Sequence, residues 1–235
     1  METGDTTEDT GGDTGARVLA AALAHVPFDG WSAATLRAAA ADAGVPPALA
    51  RALYPRGGVD LALAFHRQGD VAMVAKLGNE DLGALRFRDR IARAVRIRLE
   101  LADRELVRRG TTLFALPMHA GDGARALWGT ADAIWTALGD TTRDFSWMTK
   151  RATLAGVQGA TVLFWLGDDS PGNRATWDFL DRRIEDVMKI EKFKTKLREN
   201  PLSKALLAGP LRAMNRMHMP KMPESPDDLP GRTRS

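Results

Sequence analysis

Two apolar helical segments between Phe145 and Val187 constrain the fold of this chain more than any other feature of the sequence. The first segment carries large apolar residues on most sides of a helix and contains Gly156 and Gly159. A helix that is apolar on most faces must be buried or must line an apolar space. Because an interior glycine costs about 1 kcal/mol relative to alanine, the two glycines indicate close approach by another backbone or by a ligand.

The second segment follows a break at 168–171 and repeats its apolar residues with a helical period. Together the two helices carry more large apolar surface than simple packing needs. They are therefore predicted to line or abut an apolar cavity, and a filled core is the alternative. The predicted lining, and hence lipid-binding, residues are Leu154, Val157, Thr161, Phe164, Trp165, Trp177, Leu180 and Ile184.

The remainder of the chain also has helical patterning, without the alternating β-branched runs that are typical of strands. The sequence therefore predicts an all-α fold. Ser32 and Gly44 are the expected N-cap and C-cap of one helix. There is no cysteine, which excludes disulfides and thiolate metal sites. Helices are predicted over 16–25, 33–43, 46–54, 59–77, 86–109 and 124–138.

No catalytic or metal-binding pattern emerges from the sequence. The four histidines lie on separate segments, and the paired Glu-x-x-His motifs of diiron enzymes are missing. Zinc-protease, nucleophile-elbow and phosphate-loop motifs are missing too. Asp168 and Asp169 are predicted to cap the following helix rather than to act as an acid–base pair. We therefore expect no catalytic residues, no metal and no cofactor, and thus no enzyme.

The order of helices in 17–77 resembles the DNA-binding head of tetracycline-repressor-type regulators. A recognition helix needs side chains that reach base edges and phosphates. The corresponding segment, 46–53, offers only Arg51 as a charged residue, so we expect no nucleic-acid partner. A ligand-responsive transcription factor of this type remains the alternative function.

The two ends of the chain differ in charge. Residues 1–16 are acidic and polar, which predicts disorder, and they lack the marks of a secretory or mitochondrial leader. Residues 189–200 are predicted to be a basic linker, 201–219 an amphipathic helix on an anionic membrane surface, and 220–235 a disordered tail. The expected location is cytoplasmic, peripheral on the inner membrane of a bacterial-type cell. The predicted membrane-binding residues are Leu202, Lys204, Leu206, Leu207, Arg212, Met214, Arg216 and Met217.

Three landmarks occur in order: VPFDGWS at 26–32, LYPRGGVDL at 53–61, and SWMTKRATLAG with DDSP and TWDFLDRRIEDVM between 146 and 188. They resemble the lipid-binding accessory proteins of ubiquinone (coenzyme Q) biosynthesis. The resemblance implies a tetracycline-repressor-like fold with a head at 17–77 and a lipid-binding body at 78–188. It further implies a homodimer without catalysis of its own that binds an isoprenoid quinone or a phospholipid and presents a quinone intermediate to a diiron hydroxylase.

The same resemblance assigns the hydroxylase contact to the start of the SW-x-T helix, at Asp144, Trp147, Met148 and Arg151. Met148 departs from the aromatic residue expected after the tryptophan. The alternative is that Trp147 is the first core residue of its helix. A partner-binding protein without any ligand is a third possible function.

Overall fold

The computed structural model describes residues 7–141 and 145–199, and within these ranges the regular elements are all helices, as the sequence predicts. Their bounds are α1 Thr7–Asp29, α2 Ala33–Asp42, α3 Pro47–Leu53, α4 Gly58–Gly78, α5 Phe87–Glu100, α6 Arg104–Phe114, α7 Ala120–Ala137, α8 Phe145–Leu166 and α9 Arg174–Glu199. A short 3-10 turn, Pro171–Asn173, joins α8 to α9.

Local signals explain where several helices begin and end. The Ser32 side chain accepts a hydrogen bond from the backbone N–H of Thr35 at 3.1 Å and caps α2, as predicted. Gly44 follows this helix with a φ of 64°, a left-handed conformation that glycine adopts without steric cost. Pro47 occupies the first turn of α3, where its missing N–H is not needed.

Two groups of buried apolar residues hold the helices together. The head core contains Val18, Ala22, Val26, Trp31, Leu36, Leu61 and Leu106, with their neighbours from α1 to α4 and α6. The body core contains Met73, Leu77, Val95, Ile97, Ile134, Leu154, Leu180 and Ile184, from α4, α5 and α7 to α9. Since α4 contributes to both cores and packs against α5 and α7, it is the element that joins them.

The first predicted boundary is wrong, because α1 begins at Thr7 and not after residue 16. Val18, Ala22 and Val26 are completely buried on one face of α1, so that face anchors the helix. The Tyr54 hydroxyl also donates to the Gly15 carbonyl at 2.8 Å and holds the upstream turn. Once a helix is anchored, adding residues to its end costs little compared with nucleation.

Two further boundaries differ from the prediction. The segment predicted as one helix over 86–109 is divided, because Asp103 accepts a hydrogen bond from the Leu106 N–H at 3.0 Å and caps a new helix, α6. The predicted basic linker at 189–200 is helical as far as Glu199. Its Lys, Glu, Leu and Arg residues are good helix formers, and no glycine or proline occurs from residue 173 to residue 200. Residues 201–235, with the predicted membrane helix and tail, lie outside the described residues.

Candidate functional site

An apolar cavity of about 400 Å³ lies among α4, α5, α6, α7 and α8. This volume falls in the range of small-molecule sites in proteins. Aromatic and large aliphatic side chains form much of its wall, and many of the other wall residues are glycine or alanine. The residues that line it include Trp31, Phe65, Leu99, Leu106, Phe114, Leu127, Gln158, Gly159 and Val162.

Residues of both predicted segments, the head at 17–77 and the body at 78–188, line the cavity. Trp31, Ala62, Phe65 and His66 come from the segment 17–77 that was predicted to be a separate head. The Trp31 indole is fixed there, because its Nε1–H donates to the Leu106 carbonyl at 3.2 Å. Its ring also packs on Phe65 with centroids 5.4 Å apart. The walls of this cavity therefore extend beyond the body at 78–188 that was predicted to bind lipid, and that prediction stays untested.

One side of the wall contains a buried polar network. The Arg98 Nε–H donates to an Asp70 carboxylate oxygen at 2.8 Å, and its Nη2 donates to the His66 carbonyl at 3.1 Å. His66 Nε2 lies 2.8 Å from Thr130 Oγ1, which donates to Asp70 at 2.8 Å. Burial lowers the pKa of His66, and the nearby Asp70 offsets only part of that effect. The His66 imidazole is therefore uncharged at neutral pH, and the charge of Arg98 is paired with that of Asp70.

Gln158 differs from Arg98 and His66, the other buried or largely buried polar side chains described in the wall. Its side chain is 2% exposed, and its amide Oε1 is buried with no hydrogen-bond partner among the described residues. Buried polar atoms are paired in the great majority of cases, so each orphan needs a physical reason. Gln158 is also one of the residues that line the cavity.

The cavity reaches the protein surface at one end. Leu163 lines it and is 63% exposed, and Ala115 and Ala120 in the wall are also exposed. Gln158, Leu99 and Leu106 are buried in the wall. A ligand can therefore enter from the surface and contact the buried part of the wall.

None of the eight residues predicted to line a cavity lines this one. Leu154, Val157, Leu180 and Ile184 belong to the body core, so the filled-core alternative describes them. Thr161 is fully buried and donates to the Val157 carbonyl within its own helix at 2.7 Å. The reason is geometric: Leu154 and Val157 of α8 pack into the body core, whereas the cavity borders another side of that helix, at Gln158, Gly159 and Val162.

The aromatic members of that set make ring contacts elsewhere. Trp165 is buried beneath the Arg104 guanidinium, whose Cζ lies 4.9 Å from the indole centroid. Phe164 stacks on Phe179 at 4.6 Å. The Trp177 Nε1–H donates to the Gly172 carbonyl at 2.9 Å, which ties the start of α9 to the preceding turn. Lipid contact by these side chains stays a prediction.

The predicted hydroxylase-contact residues occupy different environments. Met148 is 54% exposed, and Trp147 is half-buried against Trp128 with ring centroids 5.7 Å apart. Arg151 is only 2% exposed, so it cannot be a surface contact as predicted. Its guanidinium pairs with Asp132 and Asp140. The Arg151 Cζ also lies 4.4 Å from the centroid of the Trp147 ring, so the guanidinium packs on that ring. Asp144 lies outside the described residues.

Asp168 has the capping role that its position predicts. Its carboxylate accepts hydrogen bonds from the backbone N–H groups of Ser170 and Thr176 at 2.8 and 2.9 Å, and from the Thr176 hydroxyl. These hydrogen bonds hold the pKa of Asp168 well below its usual range. Within 7–141 and 145–199, no cluster of three or more histidine and carboxylate side chains could hold a metal ion.

The helix in the place of a recognition helix, α3, has little with which to read DNA. Its exposed side chains include Pro47, Ala48 and Leu49, and Arg51 is its single charged residue. Among the helices that the structure describes, none is both long enough and apolar enough to cross a bilayer.

Sequence patterns did not predict the residues that form the cavity wall, although two weak signals pointed to them. Gln158 is a lone amide within the apolar stretch of α8, and Gly159 next to it was singled out as a site of close approach. Gly159 does line the cavity, whereas Gly156 has open space around it and does not. No sequence signal linked these positions to Trp31 or Phe65, which lie more than ninety residues away along the chain.

Comparison with known protein families gives one match to a family model, COQ9, over residues 120–191. Among curated proteins, the mitochondrial ubiquinone biosynthesis protein COQ9 of Drosophila melanogaster is 31% identical over 182 residues, which cover 75% of this chain and 56% of that protein. Its counterpart from Rattus norvegicus is 33% identical over 183 residues, covering 74% and 58%. The chain thus spans just over half the length of these relatives.

Among solved structures, a TetR transcriptional regulator from Nitrosomonas europaea matches with a TM-score of 0.58 and 21% identity, over 74% of this chain and 97% of that one. At this identity the likeness shows the fold alone. The tetracycline-repressor-like fold is therefore confirmed. The resemblance to ubiquinone biosynthesis proteins, drawn from three short landmarks, is confirmed as similarity to the COQ9 family.

Proposed function

We propose that this chain, similar to COQ9 proteins, is a non-catalytic accessory protein of ubiquinone biosynthesis. It binds an isoprenoid quinone intermediate and presents it to the diiron hydroxylase of that pathway. The observation that carries this proposal is the apolar cavity of about 400 Å³ that opens beside Leu163. The names of the relatives in Drosophila melanogaster and Rattus norvegicus support the pathway.

The physical need for such a protein follows from the ligand. A polyprenyl tail is very insoluble in water, so an enzyme outside the bilayer needs a carrier or direct access to lipid. The cavity walls can shield part of such a molecule from water. The predicted amphipathic segment at 201–219 would hold the protein on an anionic membrane surface, where the lipid is found. The proposed location is thus peripheral on the inner membrane, and the proposed assembly is a homodimer.

Native mass spectrometry of the full chain, purified without detergent, tests the ligand part of the proposal. We expect a bound isoprenoid or phospholipid that dissociates at higher collision energy, and lipid extraction should recover the same molecule. Protein that is free of lipid after expression in cells with an intact quinone pathway would contradict the proposal. It would favour a partner-binding protein without a ligand.

The hydroxylase contact is proposed at the start of α8, around Trp147 and Met148. Exposed Met148 lies beside a tryptophan that Arg151 and Trp128 hold in place, and such anchored aromatic residues often dominate interfaces. The buried Arg151 has a supporting role, since its charges are already paired with Asp132 and Asp140.

The variant Trp147→Lys tests this contact. It should lose the ring contact with Trp128, which is worth about 1 kcal/mol beyond the buried area, yet remain folded and lipid-loaded. Its affinity for the hydroxylase should fall by about tenfold or more, as measured by co-purification and titration. The control is Phe28→Lys, at a residue that is 84% exposed on α1. Equal binding of the hydroxylase by Trp147→Lys and the wild-type chain would contradict the assignment.

DNA binding is not favoured as a second function. The tetracycline-repressor-like neighbour shows only that the helices share an arrangement. The exposed surface of α3 consists mainly of proline, alanine and leucine, which lack the donors and acceptors for base edges.

A further inference from the structure

The wall of the cavity contains a buried hydrogen-bond acceptor that has no partner among the described residues. Arg98 and His66 also line the cavity, but both form hydrogen bonds within the protein. Arg98 donates to Asp70 and to the His66 carbonyl, and the His66 ring is hydrogen-bonded to Thr130. The buried amide oxygen of Gln158 has no partner among the described residues. Burying such an acceptor without a partner destabilises a protein, so the group is explained best by a ligand that satisfies it.

The position of Gln158 also defines how a ligand would lie. Gln158 is 2% exposed, whereas Leu163, five residues further along α8, is 63% exposed and lies at the opening. At 1.5 Å per residue the two positions are about 7.5 Å apart along the helix axis. That separation matches the length of a ring or of a few carbon atoms. A long isoprenoid chain would therefore extend out of the opening.

We infer that Gln158 is a specificity-determining residue, which accepts a hydrogen bond from a hydroxyl group at the inner end of an apolar ligand. The ligand class is an amphiphile that carries a donor, such as a long-chain phenol or a hydroquinol, and enters with its hydroxylated end first. An apolar molecule with acceptors alone would leave the amide oxygen unpaired. This inference rests on the proposed function, because it names the chemical group that the same cavity selects.

Two probes that differ in the donor test the inference on the full chain, after bound lipid has been removed. The probes are 4-nonylphenol, which donates a hydrogen bond, and 4-nonylanisole, whose methoxy oxygen can only accept one. Titration calorimetry should show that the wild-type chain binds the phenol about fivefold more tightly than the anisole, which is the scale of one hydrogen bond. In Gln158→Met the ratio of the two affinities should fall to about one.

The control Val162→Met alters the same wall without removing a hydrogen-bonding group, and it should keep the wild-type preference for the phenol. Gln158→Met should also keep or raise the Tm of the lipid-free protein, because it removes an unsatisfied buried acceptor. A clear fall in Tm would show that the amide has a structural role and would overturn the inference.

The outcomes separate this inference from the proposed function. Binding of both probes with equal affinity by the wild-type chain would overturn the role of Gln158 and leave the cavity as a lipid site. An unchanged preference for the phenol in Gln158→Met would do the same. Binding of neither probe by the wild-type chain, while native lipid is also absent, would overturn the ligand-binding function itself.

Discussion

One side of α8 is packed tightly into the body core, whereas another side borders an open cavity. On the packed side, Leu154 and Val157 are buried against residues from α4, α5, α7 and α9. On the cavity side, Gln158, Gly159 and Val162 face a space that no protein atom fills. The two sides belong to the same helix and alternate along the sequence, so helix composition alone does not explain the difference.

Small residues in the opposing helices account for the open side. The cavity wall includes Gly110 and Gly123 as well as Gly159, and several alanines. A Cβ atom on Gly123 would lie 2.8 Å from the Phe114 Cβ, so glycine is what allows that ring to approach α7. Interiors are otherwise close-packed, and facing side chains must complement each other in volume. The cavity therefore borders small residues of several helices, whereas Leu154 and Val157 of α8 pack into the body core.

The largest effect is expected from Leu154→Ala on the packed side. Removing this buried side chain should lower the free energy of unfolding by about 2–5 kcal/mol, because the core cannot fully collapse around the gap. Urea denaturation measures the change. The fraction of folded protein that carries lipid should not change. A loss of lipid binding in the folded variant would show that the two sides of α8 are not independent.

A matched glycine pair separates the sides by function. Gly159→Leu should project into the cavity, where even its Cβ lies 3.1 Å from Leu127 Cδ1, and should lower the affinity for lipid by about tenfold or more. Gly156→Leu, three residues earlier, has nothing within 4 Å of its Cβ and should leave the affinity unchanged. Each variant should stay within about 1 kcal/mol of the wild-type stability, because leucine is the better helix former. Equal lipid binding by both variants would refute the assigned cavity.

The smallest effect concerns pH and the polar wall of the cavity. Because burial lowers the pKa of His66 in the folded protein, the unfolded chain binds a proton more readily at this residue. Stability should therefore fall as the pH drops through about 6.5, the ordinary histidine value, and should not depend on this group at higher pH. Thermal melts of the wild-type chain and of His66→Gln, between pH 8 and pH 5, measure the difference. The variant should show the weaker pH dependence, and identical profiles would contradict the prediction.

Local sequence signals determined the helical content, the caps and the order of elements. The Ser32 cap, the Gly44 terminus and the capping role of Asp168 were all predictable, because each depends on residues within eight positions of one another. The burial of Leu154, Leu180 and Ile184 was predictable as well, since helical periodicity reveals the apolar face. The start of α1 and the α5–α6 break were missed. There the composition alone did not reveal the anchoring by Tyr54 or the cap at Asp103.

The location of the cavity was decided by the tertiary structure alone. Its walls depend on contacts between residues far apart along the chain, such as Trp31 with the Leu106 carbonyl. The same is true of Arg151, which is assigned to a surface by its motif but is buried because Asp132 and Asp140 reach it from α7 and the loop beyond. A periodic sequence specifies which residues become buried. Whether they meet a large side chain, a glycine or an unpaired amide depends on which helices pack together, and no local pattern contains that information.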